Sequence, residues 1–342
     1  MEAIKYSIVI PIYNEEETFP ELIKRVSEVI DLLDGPAEVV LVDDGSRDSS
    51  YQLMVEASLR DPRFKVVQLS RNFGHQLAIT AGMDASSGQA VIVMDADLQD
   101  PPHVILEMAA KWQEGYEVVQ AVRERRDGET IFKKTTATVF YNLLRRIAEI
   151  EQPVDVGDFR LVDRKALDAF LQMRESNRYI RGMFSWIGFR QTAVPYTRAP
   201  RHLGRSKYPL RKMLRFASDG IIGFSTAPLR LALAAGLLLA TASVCYGLVA
   251  IALKLAGLPY VPGYASLLVT ITFLSGVQLI MLGMVGQYVA RIYDEARGRP
   301  LYLVRDARGF TAPGESNGRA MWPTDQDQTP APTEQVPLRP TK

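Results

Sequence analysis

In Val91-Ile-Val-Met-Asp-Ala-Asp-Leu-Gln-Asp-Pro-Pro102, four apolar residues run straight into a cluster of acids. Val91 to Met94 is apolar and rich in β-branching. It is bounded by Gly88 on one side and Pro101-Pro102 on the other, a composition that suits an interior strand of a parallel sheet. Extended backbone points side chains i and i+2 the same way, so Asp95, Asp97 and Gln99 are expected to line one face with oxygen atoms. Mg²⁺ and Mn²⁺ prefer such carboxylate and carbonyl oxygens, and keep positions open for substrate phosphates. A turn in which Asp97 merely caps the next helix is the alternative for this segment alone.

The pattern repeats on both sides. Strands are expected at Ser7 to Pro11, Glu38 to Val42, Phe64 to Leu69 and Glu117 to Val122. Helices are expected from Pro20 past Ile30, and over Ser49 to Arg60, His75 to Ser86 and Pro102 to Gln113. Alternation of this kind means crossover connections and an α/β fold with a parallel-rich sheet. Ligands then bind beyond the carboxyl ends of the strands. Tyr13-Asn-Glu15, Asp43-Asp44, Arg71 and Asp95-Ala-Asp97 all fall on that edge. Neither a G-x-G-x-x-G nor a G-x-x-x-x-G-K-S/T segment occurs, so phosphates would be held by metal and basic side chains.

The 342 residues carry a formal net charge of +1, which points to no nucleic-acid partner. A lone cysteine, Cys245, excludes an internal disulfide framework. The apolar run near the N-terminus breaks at Asn14-Glu-Glu-Glu17, unlike a cleavable leader. Leu231 to Leu253 and Tyr264 to Ala290 are long uncharged runs. At ~1.5 Å per residue each reaches roughly 35 Å, enough to cross a bilayer. Their outer flanks are richer in Arg and Lys than the loop between them, which places both termini in the cytoplasm and makes the protein a multi-pass protein of the inner (cell) membrane. Gly276, Gly283 and Gly286 would allow close helix contact, and with it a homo-oligomer. Ile131 to Ile147 and Pro209 to Phe224 read as basic amphipathic helices; the second is expected at the headgroup plane, the first there or on the sheet.

Ser7-Ile-Val-Ile-Pro-Ile-Tyr-Asn-Glu15, Val42-Asp-Asp-Gly-Ser46 and Asp95-Ala-Asp-Leu-Gln99 resemble the inverting, nucleotide-sugar-dependent glycosyltransferases of family 2 (GT-A type). Asp95 to Pro102, Gly157-Asp-Phe-Arg-Leu161 and Arg201-His-Leu-Gly-Arg-Ser-Lys-Tyr208 resemble its polyprenyl-phosphate branch, which includes dolichyl-phosphate mannose synthases and, more similar still, the two-helix bactoprenol glucosyltransferases. The resemblance implies transfer of a hexose, glucose from UDP-glucose, to a polyprenyl phosphate in a membrane. Donors carrying mannose, an N-acetylhexosamine or a modified arabinose occur in the same branch.

The resemblance also assigns roles. Pro11, Tyr13, Glu15, Asp43 and Asp44 would line the nucleotide-sugar site, with Asp43 or Asp44 accepting from uracil or ribose. Arg71 and Asp95 would complete that edge, and Arg201, Arg205 and Lys207 would fold over the diphosphate. Asp95, Asp97 and Gln99 would hold Mg²⁺ or Mn²⁺, with Asp97 counted as catalytic. Asp158 would act as general base, or instead orient Arg160 or the acceptor. Arg123, Arg125, Lys133 and Arg160 would bind the acceptor phosphate, Lys133 standing where the family has arginine. The implied layout is a catalytic domain over 1–208, a juxtamembrane amphipathic helix over 209–228, two transmembrane helices over 229–291, and a cytoplasmic tail over 292–342 lacking order from about 311. A non-catalytic membrane scaffold or lipid carrier is the reading from another class.

Overall fold

The structure is a computed structural model that describes residues 3–123, 156–176, 178–197, 227–256 and 263–310. Eight strands form one sheet in the order β7-β5-β6-β4-β1-β2-β3-β8. They are β1 (Tyr6–Ile12), β2 (Ala37–Asp43), β3 (Phe64–Leu69), β4 (Ala90–Val93), β5 (Val118–Arg123), β6 (Val156–Asp163), β7 (Gln191–Tyr196) and β8 (Val304–Arg308). The helices are α1 (Phe19–Ile30), α2 (Ser50–Arg60), α3 (His75–Ala85), α4 (Val104–Gln113), α5 (Arg164–Gln172), α6 (Ile180–Trp186), α7 (Ala227–Leu255) and α8 (Tyr264–Ala296).

The expected parallel unit is present: β4, β1, β2 and β3 pair in parallel. All seven residues of β1 and of β2 are buried, which explains why these strands read as continuous apolar runs rather than alternating ones. On one side Ile8, Ile10, Leu41 and Ile92 pack with Leu22, Val26 and Met108 from α1 and α4. On the other Val9, Val42 and Val93 pack with Ala78, Ile79 and Phe170 from α3 and α5. In-register pairing of Ile12 with Asp43 lines up the carboxyl ends of β1 and β2.

Two strands depart from the simple alternation. β6 runs antiparallel between β4 and β5, making the sheet mixed. Because β6 is reversed, its first residues, not its last, lie at the carboxyl edge. β8 comes from the far side of α7 and α8 and pairs antiparallel with β3, closing the opposite sheet edge. Residues 304–308, expected in a tail, are therefore part of the main sheet. Tyr302 Oη donates to Asp84 at 2.6 Å, and Ser176 N–H donates to Glu295 of α8 at 3.0 Å, so the end of α8 is bonded to the sheet domain.

Both expected long helices are helical. Among the described residues, Phe273–Ala296 is the one segment long and apolar enough to cross a membrane, and none of it is buried within the protein. A two-span hairpin is thus not established by length and composition. Both amphipathic candidates, Ile131 to Ile147 and Pro209 to Phe224, lie outside the described residues, as does 311–342.

Candidate active site

The loops after β1, β2 and β3 are tied into one edge by side chains. Asn14, at φ 55°, accepts from Arg47 N–H at 2.8 Å, and its own N–H donates to Ser46 Oγ at 3.1 Å. Glu15 N–H donates to Ser50 Oγ at 2.9 Å, while its carboxylate accepts from Thr18 Oγ1. Asp43 is fully buried; it accepts from Ser46 N–H at 2.9 Å and from Gln68 Nε2 at 3.2 Å. Asp44 accepts from Phe73 N–H at 2.7 Å and Gly74 N–H at 3.0 Å, fixing the 71–74 loop. Burial raises the Asp44 carboxyl above its ordinary value, and these two N–H bonds hold back part of that rise. Pro11 is buried within β1, Tyr13 is 42% exposed, and Arg71 lies at the surface over the Phe73 ring, 4.0 Å from its centroid.

The acidic segment departs from extended geometry. A turn begins at Ala96, Leu98 has φ 57°, and Gln99 N–H donates to Asp97 Oδ1 at 3.1 Å. Asp95, Asp97 and Gln99 are therefore gathered by an Asx-type turn, not by the side-chain alternation of a strand. Gln99 Oε1 is a buried oxygen without a hydrogen-bond partner, and Asp95 Oδ1, buried as well, faces only the His75 imidazole at 3.3 Å. Orphaned buried acceptors are rare, and a hard cation satisfies them, so this donor set fits Mg²⁺ or Mn²⁺. Among the described residues no three His, Cys, Asp or Glu side chains converge as a closed metal cage. A metal here would thus complete its shell with substrate oxygens and water.

The reversed strand β6 supplies the other half of the site. Val93 pairs with Arg160, and continuing that register by two residues sets Asp158 beside Asp95. His75 bridges them: its Nε2 is 3.3 Å from Asp95 Oδ1 and 3.4 Å from Asp158 Oδ2. Burial would lower the imidazole pKa, but the two carboxylates outweigh it and raise it to about 10. Arg181, from α6, donates to both oxygens of Asp158, at 2.9 and 3.1 Å. Gln76 Nε2 donates to Asp158 Oδ2 at 3.3 Å, and Gln76 Oε1 accepts from Ile180 N–H, tying α6 to α3. Burial alone would raise the Asp158 carboxyl; His75 and Arg181 reverse that and hold it well below the usual carboxylate range. Asp158, expected as general base or as the residue that orients Arg160 or the acceptor, thus has both oxygens engaged, by Arg181 on one side and by Arg181, His75 and Gln76 on the other.

Arg160 is buried beside Asp158. Expected at the acceptor phosphate, it is 1% exposed, with Nη2 donating to Gly157 O at 2.8 Å and the guanidinium over the Phe184 ring. Burial lowers its pKa to about 10. Arg123 does reach the edge, where Nε donates to Tyr196 Oη and that hydroxyl donates to buried Asp100 at 2.6 Å. Arg125, Lys133, Arg201, Arg205 and Lys207 lie outside the described residues. His75, Gln76 and Arg181 were not anticipated. His75 and Gln76 had a signal, since a helix following a parallel strand starts at the carboxyl edge. Arg181 had none, because its seven-residue helix follows no recognisable motif.

The Glycosyl transferase family 2 profile matches residues 7–171. A Bacillus subtilis protein described as an uncharacterized glycosyltransferase, YkcC, is 51% identical over 307 residues, covering 90% of this chain and 95% of its own. The chain belongs to glycosyltransferase family 2. As a family 2 glycosyltransferase it is an enzyme. The bactoprenol glucosyl transferase of Shigella phage SfV is 40% identical over 305 residues, covering 89% of this chain and 99% of that one. A prophage bactoprenol glucosyl transferase homolog of Escherichia coli K12 is 38% identical over 302 residues, covering 88% and 99%.

Proposed function

We propose that this protein transfers a hexose, glucose from UDP-glucose, to the phosphate of a polyprenyl phosphate such as undecaprenyl phosphate, with inversion. The observation that carries the reading is the juxtaposition at one sheet edge of the oxygens of Asp95 and Gln99, the latter without a hydrogen-bond partner, with His75 and Arg181. Near-full-length similarity to bactoprenol glucosyl transferases supports the acceptor and the sugar.

A lipid phosphate monoester carries about −1.5 to −2 charge at pH 7 and is already a nucleophile. One of its oxygens attacks the anomeric carbon from the face opposite the leaving group. The bond to the UDP oxygen breaks, and the electron pair leaves with UDP. Mg²⁺ or Mn²⁺ held by Asp95, Asp97 and Gln99 would neutralise charge on the departing diphosphate. Asp43 and the loop fixed by Asp44 would hold the nucleoside; basic side chains would orient the acceptor.

Residues Leu237, Leu238 and Leu248 on α7 and Leu279, Ile280 and Leu282 on α8 are each more than 60% exposed. Lipid is the solvent that suits such surfaces, which supports reading α7 and α8 as a hairpin that holds the catalytic edge near headgroups, with both termini cytoplasmic. Purified full-length protein, incubated with radiolabelled nucleotide sugars and undecaprenyl phosphate, tests the reading. Label should pass to lipid from UDP-glucose, with UDP released. Transfer from another donor alone would replace the sugar, and no transfer to lipid from any donor would reject the function.

A further inference from the structure

Arg181 is the second residue of α6 and meets Asp158 edge to edge, with Nε 2.9 Å from Oδ1 and Nη2 3.1 Å from Oδ2. A guanidinium has a second edge, formed by Nη1 and the outer hydrogen of Nη2. Among the described residues no acceptor is bonded to Nη1 of Arg181. The Arg181 side chain is 37% exposed, whereas Asp158 is 4% exposed. The pair thus has a buried acid and an outward-facing cation.

The surroundings carry excess positive charge. Asp158 Oδ2 also faces His75, and Arg160 Nη2 lies 3.7 Å from Oδ1, with Arg160 Nη1 buried and unpartnered. Arg123 reaches over the start of β6, so a Cβ added at Gly157 would sit 3.3 Å from its Nη2. Three guanidiniums, of Arg123, Arg160 and Arg181, therefore gather around Gly157-Asp158, faced by Asp158 itself and, beyond the Tyr196 hydroxyl, by Asp100. An arrangement this cationic is completed by an anion, and the anion this reaction brings to the β6 side of the site is the acceptor phosphate.

We propose that Arg181 binds the acceptor phosphate through its outer edge, and that Asp158 is the positioning residue that presents it. The inference rests on the proposed polyprenyl-phosphate acceptor and deepens it. Both Asp158 oxygens are spent on cations, so the acid contributes geometry, not proton transfer. Arginine suits the role because its planar fork engages a carboxylate on one edge and a phosphate on the other, which a lysine ammonium cannot do.

The test is steady-state kinetics of full-length protein with UDP-glucose and undecaprenyl phosphate, varying each in turn. Arg181→Gln should raise the acceptor KM roughly 10- to 100-fold, the loss of one or two bonds to a charged group, and leave the donor KM within about twofold. Arg181→Lys should recover part of that loss. Asp158→Asn should also raise the acceptor KM, keep the wild-type shape of the pH profile of kcat, and add little in the double variant. Thermal melting of each variant separates these effects from unfolding; if Arg181→Gln does not fold, Arg181→Lys reads the same quantity. An unchanged acceptor KM in a folded Arg181 variant overturns the inference while leaving the function standing. So does an Asp158→Asn variant that loses kcat alone together with one limb of the pH profile, the signature of a base. Wild-type protein that labels no lipid rejects the function and takes this inference with it.

Discussion

Alanine at Gly45 perturbs the loop that joins the nucleotide end of the site to the 71–74 segment. Gly45 has φ 72°, and a Cβ there would lie 2.6 Å from Asn72 N and 2.7 Å from the Arg71 carbonyl carbon. The left-handed conformation costs an L-residue about 1–2 kcal/mol. The clashing atoms are backbone, so no rotamer change relieves them and the 71–74 loop must move. That motion strains the bonds from Phe73 and Gly74 N–H to Asp44, and a hydrogen bond to a charged group is worth about 1.5–3 kcal/mol. The combined loss is about 4 kcal/mol, or roughly 12 °C in Tm at ~3 °C per kcal/mol for a domain of this size. Gly74→Ala is the matched control: φ is 102°, but nothing lies within 4 Å of the added Cβ. Only the backbone term remains, about 2 kcal/mol and roughly 6 °C. Circular dichroism melts of the two full-length variants in detergent measure the difference, and UDP binding should weaken more in Gly45→Ala. Equal melting temperatures for the two variants would refute the claim that close approach of the two loops, not backbone strain, dominates at Gly45.

Asp97→Ala should abolish transfer and, by removing the carboxylate that accepts from Gln99 N–H, cost about 1.5 kcal/mol or roughly 4 °C in Tm; removal of divalent metal with EDTA should also abolish transfer, and Mg²⁺ or Mn²⁺ should restore only the wild type. Tyr302→Phe removes the 2.6 Å bond to Asp84, which keeps its Arg174 partner, so a loss near 1.5 kcal/mol and roughly 4 °C in Tm is expected. Glu38 is 1% exposed; burial raises its carboxyl, but Lys65, Ser7 and Ser87 outweigh that and leave it below the ordinary 4.5. A depressed carboxyl stabilises the fold above its unfolded value and loses that contribution as pH falls through the folded one. Glu38→Gln should therefore melt well below wild type at pH 7, and the gap should narrow as pH falls below about 4, which melts across that range will read.

Local periodicity made the α/β class and half of the site readable before any coordinates. β1, β2 and β4 are apolar because both faces are covered, and the polar residues after them fall at the carboxyl edge by the direction of the chain. Asp43, Asp44, Asp95 and Asp97 needed nothing more. The detail at Asp97 did not follow, because a side chain bonding its own backbone two residues on replaces strand alternation with a turn.

Sequence by itself settled the strands and helices between Ser7 and Val122, the two long helices, which acids end the early strands, and which family the motifs resemble, since these depend on residues within a few positions of one another. Folding in three dimensions decided that β6 enters in reverse between β4 and β5, that Arg181 and His75 converge on Asp158, and that β8 returns across two long helices to β3. Those contacts join residues 23 to more than 200 positions apart. Which distant strand fills a gap, and which distant charge meets a buried acid, is a competition among whole-chain arrangements in which edge hydrogen bonds, buried area and loop closure are decided together.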